Sequence, residues 1–210
     1  MKIISLFAGE PRLLETATEE KLRTAIHKSS ANSLRITKQG IQGDDVANTK
    51  HHGGPDRVVC LYSLEHYASW EAEYGHPMQT PGAGENVLTE GMTEDKVRIG
   101  DMFRMGTALL QVTQGRVPCR TLAVYNNMPD LHLRFKETGW TGYFMRILEE
   151  GTVTGQSAVE LVSTDPAACT VAEANHILFH QKEDAAAARR LFQSPGLAQV
   201  WSELLSARLR

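Results

Sequence analysis

The sequence has few cysteines, and their spacing excludes two common roles. Its 210 residues contain three of them, Cys60, Cys119 and Cys169, which lie far apart and form no C-x-x-C pair. An odd number of widely spaced cysteines indicates neither a disulfide scaffold nor a structural zinc site. We therefore expect a cytoplasmic protein.

Long apolar runs and an excess of basic residues are also missing. No apolar stretch approaches membrane-spanning length, and the apolar start is closed by Gly9-Glu10-Pro11, so it predicts a first strand rather than a signal peptide. The formal net charge of −3 argues against a general nucleic-acid binder, although a local basic pocket stays possible. We expect neither a membrane nor a nucleic-acid duplex as a partner.

Three widespread nucleotide-binding and catalytic motifs are absent too. The chain has no G-x-G-x-x-G after a strand, no P-loop and no G-x-S-x-G elbow. It thus shows no means of holding a nicotinamide or flavin cofactor, and any redox chemistry would take its electrons from outside.

Short strand-like segments dominate the first part of the chain and predict a mainly β, barrel-like domain over residues 1–162. Two short helices are predicted within it: Ser63 caps one that ends at Gly75, and Asp130 caps another that ends at Gly139. The predicted strands cover residues 2–7, 36–40, 58–62, 102–105, 108–113, 142–148 and 157–162.

The sequence changes character near residues 162–168, and residues 163–210 are predicted to form a three-helix appendage. Thr170 to Glu173 is a capping box that opens a helix through Phe179, and Asp184 starts an alanine-rich helix. Ser194-Pro195 predicts a third helix, with one apolar face made of Leu197, Val200, Trp201 and Leu204. An appendage this small is not stable alone, so we expect it to pack on the barrel as a packing element or docking surface, outside the reaction centre.

The first candidate site is Cys119. Arg116 precedes it by three residues and Arg120 follows it directly, and neighbouring cations stabilise the reactive thiolate. Pro118 predicts that the cysteine is presented on a stiff turn after a strand. A cysteine is most often a small buried hydrophobe, so the structural interpretation stays open at this point.

The second candidate site is the loop that precedes the strand at residues 58–62. Successive glycine amides form an anion-binding nest, and the loop adds positive charge around it. Adjacent histidines point in different directions and no H-E-x-x-H helix is present, so zinc is disfavoured. A tight turn with solvated polar groups is the alternative. The residues concerned are Lys50, His51, His52, Gly53, Gly54, Pro55, Asp56 and Arg57.

Three further polar residues have two interpretations each. Glu85-Asn86 follows two glycines and either presents an amide to a heterocycle or caps its own turn. Arg146 is charged within an otherwise apolar strand and faces either solvent or a charged pocket.

Four motifs occur in a fixed order and carry a family resemblance. They are His51-His-Gly-Gly-Pro-Asp-Arg57, Gly84-Glu-Asn-Val-Leu88, Gln114-Gly-Arg-Val-Pro-Cys-Arg120 and Thr141-Gly-Tyr-Phe-Met-Arg146. With the three-helix tail, they make the chain resemble the MOSC-domain family, and most of all its YiiM-like branch. Two positions depart from the pattern: Gly115 stands where proline is expected, and Asp45 stands where a glycine usually follows the aspartate. Neither departure removes a side chain capable of chemistry.

The resemblance implies a β-barrel-like fold that binds molybdenum cofactor (Mo-molybdopterin) and reduces N-hydroxylated compounds, such as N-hydroxylated base analogues. It implies that Cys119 is the catalytic thiolate ligand of molybdenum, that His51 or His52 supplies a proton, and that a separate reductase supplies electrons. The cofactor-binding set would comprise Cys119, Lys50, His51, His52, Gly53, Gly54, Asp56, Arg57, Glu85, Asn86, Arg116 and Arg146.

Two functions from other classes stay open. Cys119 would carry a persulfide in a metal-free sulfur carrier, or the same pocket would serve a non-enzymatic protein that binds or delivers the cofactor. A monomer and a homodimer are both compatible with the sequence.

Overall fold

The computed structural model describes residues 1–15, 21–47 and 53–210. Three of the predicted site residues, Lys50, His51 and His52, lie outside these ranges.

Each predicted strand overlaps an observed one. The strands are β1 (Lys2–Ala8), β2 (Arg12–Glu15), β3 (Lys21–Thr24), β4 (Ser29–Ser30), β5 (Ser33–Thr37), β6 (Gly40–Ile41), β7 (Val59–Ser63), β8 (Val87–Glu90), β9 (Met102–Met105), β10 (Ala108–Gly115), β11 (Tyr143–Glu149), β12 (Gly151–Thr154) and β13 (Val159–Ser163). The helices are α1 (Glu65–Tyr74), α2 (Arg120–Asn126), α3 (Leu131–Thr138), α4 (Val171–Phe179), α5 (Ala185–Phe192) and α6 (Gln199–Arg208). The strands β2, β3, β4 and β12 were not predicted.

The main sheet has eight strands in the order β13-β9-β10-β11-β7-β8-β1-β4, and it curls into a half-barrel. Its neighbours are antiparallel except β7 and β8, which are parallel because α1 connects them. A three-stranded sheet, β12-β5-β6, packs against it, and β2 and β3 form a separate antiparallel pair. The predicted class, mainly β with a small helical appendage, is confirmed.

The main core joins the half-barrel to the appendage. The strand β7 is buried along its whole length, as expected for a central strand covered on both faces. Helices α4, α5 and α6 contribute side chains to the same apolar cluster as the strands, and all of these side chains are buried: Val171, Ala174, Ile177, Leu178, Ala188, Leu191, Trp201 and Leu205. The appendage therefore completes the core of the sheet.

A second, smaller core lies among α1, α2 and α3. Trp70 stacks on Phe135 with ring centroids 5.2 Å apart, and its indole N–H donates to the Tyr62 hydroxyl at 2.7 Å. Leu122 of α2 is fully buried in the same cluster. This core fixes α2 beside the end of β10, where the first candidate site lies.

Two predicted helix starts are wrong in detail. Ser63 is the last residue of β7 and its hydroxyl donates to the Met92 carbonyl oxygen, so Leu64 is the N-cap residue of α1. Ser194 accepts a bond from the Cys169 amide, and the third tail helix starts at Gln199. The half-barrel part carries three helices in its described residues, not two, because α2 was not predicted.

The predicted apolar face of the third tail helix is also partly wrong. Trp201 is buried as expected, but Val200 and Leu204 are exposed, and Leu205 fills the core instead. The capping box of α4 is confirmed, with the Thr170 hydroxyl and the Glu173 carboxylate each accepting from the other's amide. In the described ranges, no helix has the length and apolar character needed to cross a membrane.

Candidate active site

A cavity of about 240 Å³ lies where β10 ends and α2 begins. Four of the predicted site residues line it: Arg57, Asn86, Arg116 and Cys119. The lining residues that were not predicted as site residues include Lys28, Asp44 and Cys60. The cavity wall therefore gathers residues from distant parts of the chain.

Cys119 is half-buried and is the N-cap residue of α2. The expected stiff turn is thus a helix start: the backbone of Cys119 is extended, and its carbonyl oxygen accepts the Leu122 amide at 3.1 Å. A helix N-terminus and nearby cations favour the thiolate form of a cysteine. This position suits a nucleophile or a metal ligand better than a core residue.

Arg116 lies between the end of β10 and Cys119, and its amide donates to the Gly142 carbonyl oxygen at 3.0 Å. One guanidinium nitrogen, Nη1, is buried and has no hydrogen-bond partner among the described residues. A buried charged donor without a partner is costly, so this nitrogen is set up to receive an anionic or polar ligand.

Arg57 brings the glycine-rich loop to the cavity. Its amide donates to the Gly54 carbonyl oxygen at 3.1 Å, which closes a turn over residues 54–57, and Gly54 has a φ of +110° that favours glycine. Burial lowers the pKa of Arg57, and the charge of Asp56 opposes that shift. Gly53 and Gly54 themselves do not line the cavity.

A buried ion pair between Lys28 and Asp44 forms one side of the wall. Both side chains are less than a tenth exposed, at 6% and 9%. The Asp44 carboxylate also accepts from the Gly9 amide at 2.9 Å and from the Asn86 side chain at 3.0 Å. No local sequence pattern links these residues, which is why sequence reasoning missed Lys28 and gave Asp44 no role.

Asn86 lines the cavity, but both of its amide protons are used inside the protein. Its Nδ2 donates to Asp44 and to the Phe7 carbonyl oxygen at 3.3 Å, and its Oδ1 accepts from the Cys60 amide at 3.0 Å. Asn86 therefore braces the wall, and only a lone pair of Oδ1 remains for a heterocycle.

Glu85 is fully buried behind the cavity and does not line it. Its carboxylate accepts from the Tyr67 hydroxyl at 2.5 Å and from the Ala83 amide at 3.0 Å. Burial raises the pKa of this carboxyl group, while the bond from Tyr67 opposes the shift. Glu85 shapes the loop that carries Gly84 and Asn86.

Asp56 and Arg146 are brought together, but away from the cavity lining. The Arg146 Nη2 atom lies 2.8 Å from Asp56 Oδ1, so each of these predicted site residues neutralises the other. The charge of Arg146 thus faces neither the cavity nor bare solvent.

The second thiol of the cavity wall, Cys60, differs from Cys119. It is buried in β7, and burial raises its pKa to about 11, so it is a neutral thiol near pH 7. Among residues 1–15, 21–47 and 53–210, no three His, Cys, Asp or Glu side chains form a group that could hold a metal ion. A metal ion at Cys119 would need ligands from elsewhere.

Comparison with known proteins shows to which family this chain belongs. A sequence profile of the MOSC domain matches residues 48–160, and a profile of the YiiM-like, 3-alpha helix domain matches residues 170–210. The protein YflK of Bacillus subtilis is 36% identical over 200 residues, which cover 95% of this chain and 90% of that protein. Protein YiiM of Escherichia coli is 37% identical over 178 residues, covering 83% of this chain and 79% of that protein.

Two further relatives extend the comparison. The crystal structure of YiiM from Geobacillus stearothermophilus superimposes with a TM-score of 0.83 at 33% identity, covering 100% of this chain and 99% of that one. A protein of Gibberella moniliformis named "Reductase" is 32% identical over 158 residues, which cover 72% of this chain but 28% of that longer protein. The chain belongs to the MOSC-domain family, in the branch that carries a YiiM-like three-helix domain.

Proposed function

We propose that this chain is a molybdenum-cofactor-dependent reductase of N-hydroxylated compounds. The observation that carries the proposal is the placement of Cys119 at a helix N-terminus in a cavity whose wall also presents Arg57 and Arg116. The MOSC family is associated with molybdenum cofactor, and a relative named "Reductase" supports a redox role.

The residues of the cavity fit this cofactor on chemical grounds. A thiolate is a soft ligand of the kind that suits a soft metal centre, and Cys119 is placed to offer it. A pterin phosphate requires cationic partners, and Arg116 holds a buried guanidinium nitrogen that has no partner among the described residues. Cys119 would therefore hold the metal, and Arg116 and Arg57 would hold the phosphate.

The remaining wall residues would position these groups. Lys28 is held in place by its ion pair with Asp44, so it adds a fixed polar group to the wall and no net charge. Asn86 ties Asp44 to β1 and β7 and keeps the wall rigid. Cys60, as a neutral thiol, adds no competing thiolate.

When bound, the molybdenum cofactor supplies the two-electron chemistry that removes oxygen from an N-hydroxylated substrate. Overall, the N–OH group becomes N–H, two electrons and two protons are consumed, and water is released. The electrons would come from a separate reductase. His51 or His52 stays our proposed proton source, because imidazole titrates near neutral pH.

The test is to make the protein in a host with an intact cofactor pathway and to measure molybdenum and pterin per chain. Turnover is then measured with an N-hydroxylated purine and an artificial electron donor. Stoichiometric cofactor with turnover is the expected result. Metal-free protein with a cyanide-releasable sulfur on Cys119 would identify a sulfur carrier instead, and loaded protein without turnover would identify a cofactor-binding or delivery protein.

A further inference from the structure

The appendage is bonded directly to the loop that brings Arg57 to the cavity. The Gln199 amide, at the first position of α6, donates to Asp56 Oδ2 at 2.8 Å. The other oxygen of the same carboxylate accepts from Arg146 at 2.8 Å. Asp56 is thus held on both oxygens, once by the appendage and once by β11.

The same part of the appendage is bonded to the strand that leads to Cys119. The amide of Ala198 donates to the Thr113 carbonyl oxygen at 3.0 Å. The Thr113 hydroxyl in turn lies 2.6 Å from the Asp56 carbonyl oxygen, closer than its other acceptor, the Phe144 carbonyl oxygen at 3.0 Å. Thr113 is fully buried, so these bonds are shielded from water.

We infer that the start of α6 positions the cavity, and that Asp56 is the positioning residue through which it acts. Asp56 lies directly before Arg57 in the closed turn, and Thr113 lies three residues before Arg116. A shift of Asp56 would therefore move one cationic wall residue relative to the other. Asp56 acts through Arg57 and needs no contact with a ligand.

The physical basis is charge complementarity at a helix end. The first amides of a helix carry partial positive charge, so a carboxylate there is stabilised, and a bond between an ionised group and a neutral one is stronger than a neutral pair. The Asp56 carboxylate accepts from such an amide and from a guanidinium group simultaneously. The link is local, whereas the appendage as a whole is held by its buried apolar side chains.

One substitution removes this link with little other change. Gln199→Pro deletes the amide donor, and proline is favoured at the first position of a helix because its fixed φ suits that site. The preceding residue, Ala198, already has a φ of −60° and a ψ of 141°, the extended conformation that proline requires before it. The helix should therefore form, while Asp56 loses its partner in the appendage.

Two control variants distinguish the loss of the Gln199–Asp56 bond from two other effects: that of a proline at a helix start and that of losing the Gln199 side chain. Ala185→Pro places proline at the first position of α5, an exposed site that, within the described structure, makes no hydrogen bond to the cavity loop. Gln199→Ala removes the side chain, which bonds Glu203, but keeps the amide. The readout is amide hydrogen exchange of residues 53–57 in cofactor-free protein, where the Arg57 amide reports on the closed turn, together with the melting temperature.

We expect exchange in this segment to be about tenfold faster in Gln199→Pro, because a bond to a charged group contributes at least that factor. Both controls should exchange like wild type, and Ala185→Pro and Gln199→Pro should melt within a few degrees of each other. Unchanged exchange in Gln199→Pro, or equal acceleration in Ala185→Pro, would overturn the inference. If Gln199→Pro does not fold, Asp56→Asn makes the same comparison from the other side of the bond.

Pterin content per folded chain gives the second readout, and this one rests on the proposed function. Gln199→Pro should retain several-fold less pterin than Gln199→Ala. If the wild-type protein carries no pterin, the proposed function fails, while faster exchange in Gln199→Pro still establishes the positioning role. If wild type is loaded and Gln199→Pro retains as much pterin, the start of α6 does not position the cavity for its ligand, and the inference is overturned.

Discussion

At the scale of single residues, the two thiols of the cavity wall show how position decides chemistry. Cys60 lies within a fully buried strand, where no amide or cation outweighs the loss of water, and burial keeps it protonated. Cys119 is half-buried at the first turn of a helix, and Arg116 and Arg120 flank it in sequence. The same side chain is a packing group in the first place and a candidate ligand in the second.

The first prediction is that Cys119→Ser abolishes N-reductive turnover and molybdenum content, because an alcohol is a hard, weakly acidic group that does not replace a thiolate on a soft metal. The matched control is Cys169→Ser, which changes a buried thiol of the appendage. Metal and turnover are measured per folded chain. A Cys119→Ser protein that keeps its molybdenum would remove Cys119 from the site.

The second prediction concerns Arg116. Its Nη1 atom has no partner within the described structure, so Arg116→Ala should hardly lower the melting temperature of the cofactor-free protein. A bond between a charged group and phosphate contributes about 1.5–3 kcal/mol, so pterin retention should fall roughly tenfold or more. Arg104→Ala, which breaks an exposed ion pair with Glu149, is the control and should keep its pterin. Equal retention in the two variants would place the phosphate elsewhere.

The third prediction follows from the raised pKa of Glu85. The Glu85 carboxyl group stays protonated in the folded protein at pH values where the same group in the unfolded chain, with a pKa near 4.5, has lost its proton. The folded state then binds more protons, so the contribution of Glu85 to the free energy of unfolding falls as pH rises above 4.5 and is smallest above the folded pKa.

Glu85→Gln removes this titration, so the stability of wild type relative to the variant should be higher at pH 4 than at pH 7. Urea unfolding at the two pH values measures the difference, in which the titration of all other groups cancels. A difference that does not change with pH would show that Glu85 has an ordinary pKa in the folded protein.

At the scale of elements, the close approach of α4 to β10 explains a departure from the family pattern. Gly115 stands where proline is expected, and a Cβ atom there would lie 1.9 Å from Asn175 Oδ1. Asn175 is fully buried in α4 and donates to the Gly139 carbonyl oxygen at 3.0 Å and to the Thr141 hydroxyl at 2.9 Å. Glycine at the end of β10 therefore makes room for a side chain of the appendage.

The fourth prediction is that Gly115→Ala lowers the free energy of unfolding by about 1–3 kcal/mol through overpacking. In an Asn175→Ala background the clash is gone, so the same substitution should cost much less, and a double-mutant cycle by urea unfolding measures the coupling. Equal costs in both backgrounds would mean that the strain comes from the backbone of residue 115 alone.

The elements that could be predicted from sequence are those with local signals. The αL stops at Gly75 and Gly139 and the capping box at Thr170 all act within a few residues, and the structure contains each of them. The wrong helix starts were set by distant partners: the Ser63 hydroxyl bonds Met92, and the Ser194 hydroxyl bonds Cys169. Helix α2 was missed because it is short and is held by burial of Leu122 and Ala123.

The residues of the candidate site divide in the same way, into those with a local sequence signal and those that are set by distant partners. Arg116 and Cys119 are neighbours in sequence, so one motif predicts both. Lys28 and Asp44 meet across a fold that no local pattern encodes, and the Asp56–Arg146 pair neutralises two charges that looked available. Sequence alone could not distinguish Arg57 and Arg116, which line the cavity, from Arg146, which pairs with Asp56 outside the lining.

At the scale of the whole molecule, the sheet and the appendage share one core. The main cluster takes buried side chains from β1, from every strand between β5 and β12, and from all three appendage helices. An appendage of this size cannot bury enough apolar surface alone, and the sheet without it would expose the side chains that α4 and α6 now cover. Loss of the appendage should therefore unfold the sheet, and the two should not melt separately.

The fifth prediction is that the chain unfolds in a single cooperative transition. Trp201 is the tryptophan of the appendage and is 1% exposed, whereas Trp70 and Trp140 lie in the half-barrel part. In a Trp70→Phe/Trp140→Phe variant, Trp201 fluorescence reports on the appendage alone and far-ultraviolet circular dichroism reports on the whole chain in the same sample. The two urea transitions should coincide in midpoint and slope, as a two-state transition requires. A Trp201 transition at clearly lower urea would show that the appendage detaches while the half-barrel stays folded, and its apolar contacts would then add little to the stability of the sheet.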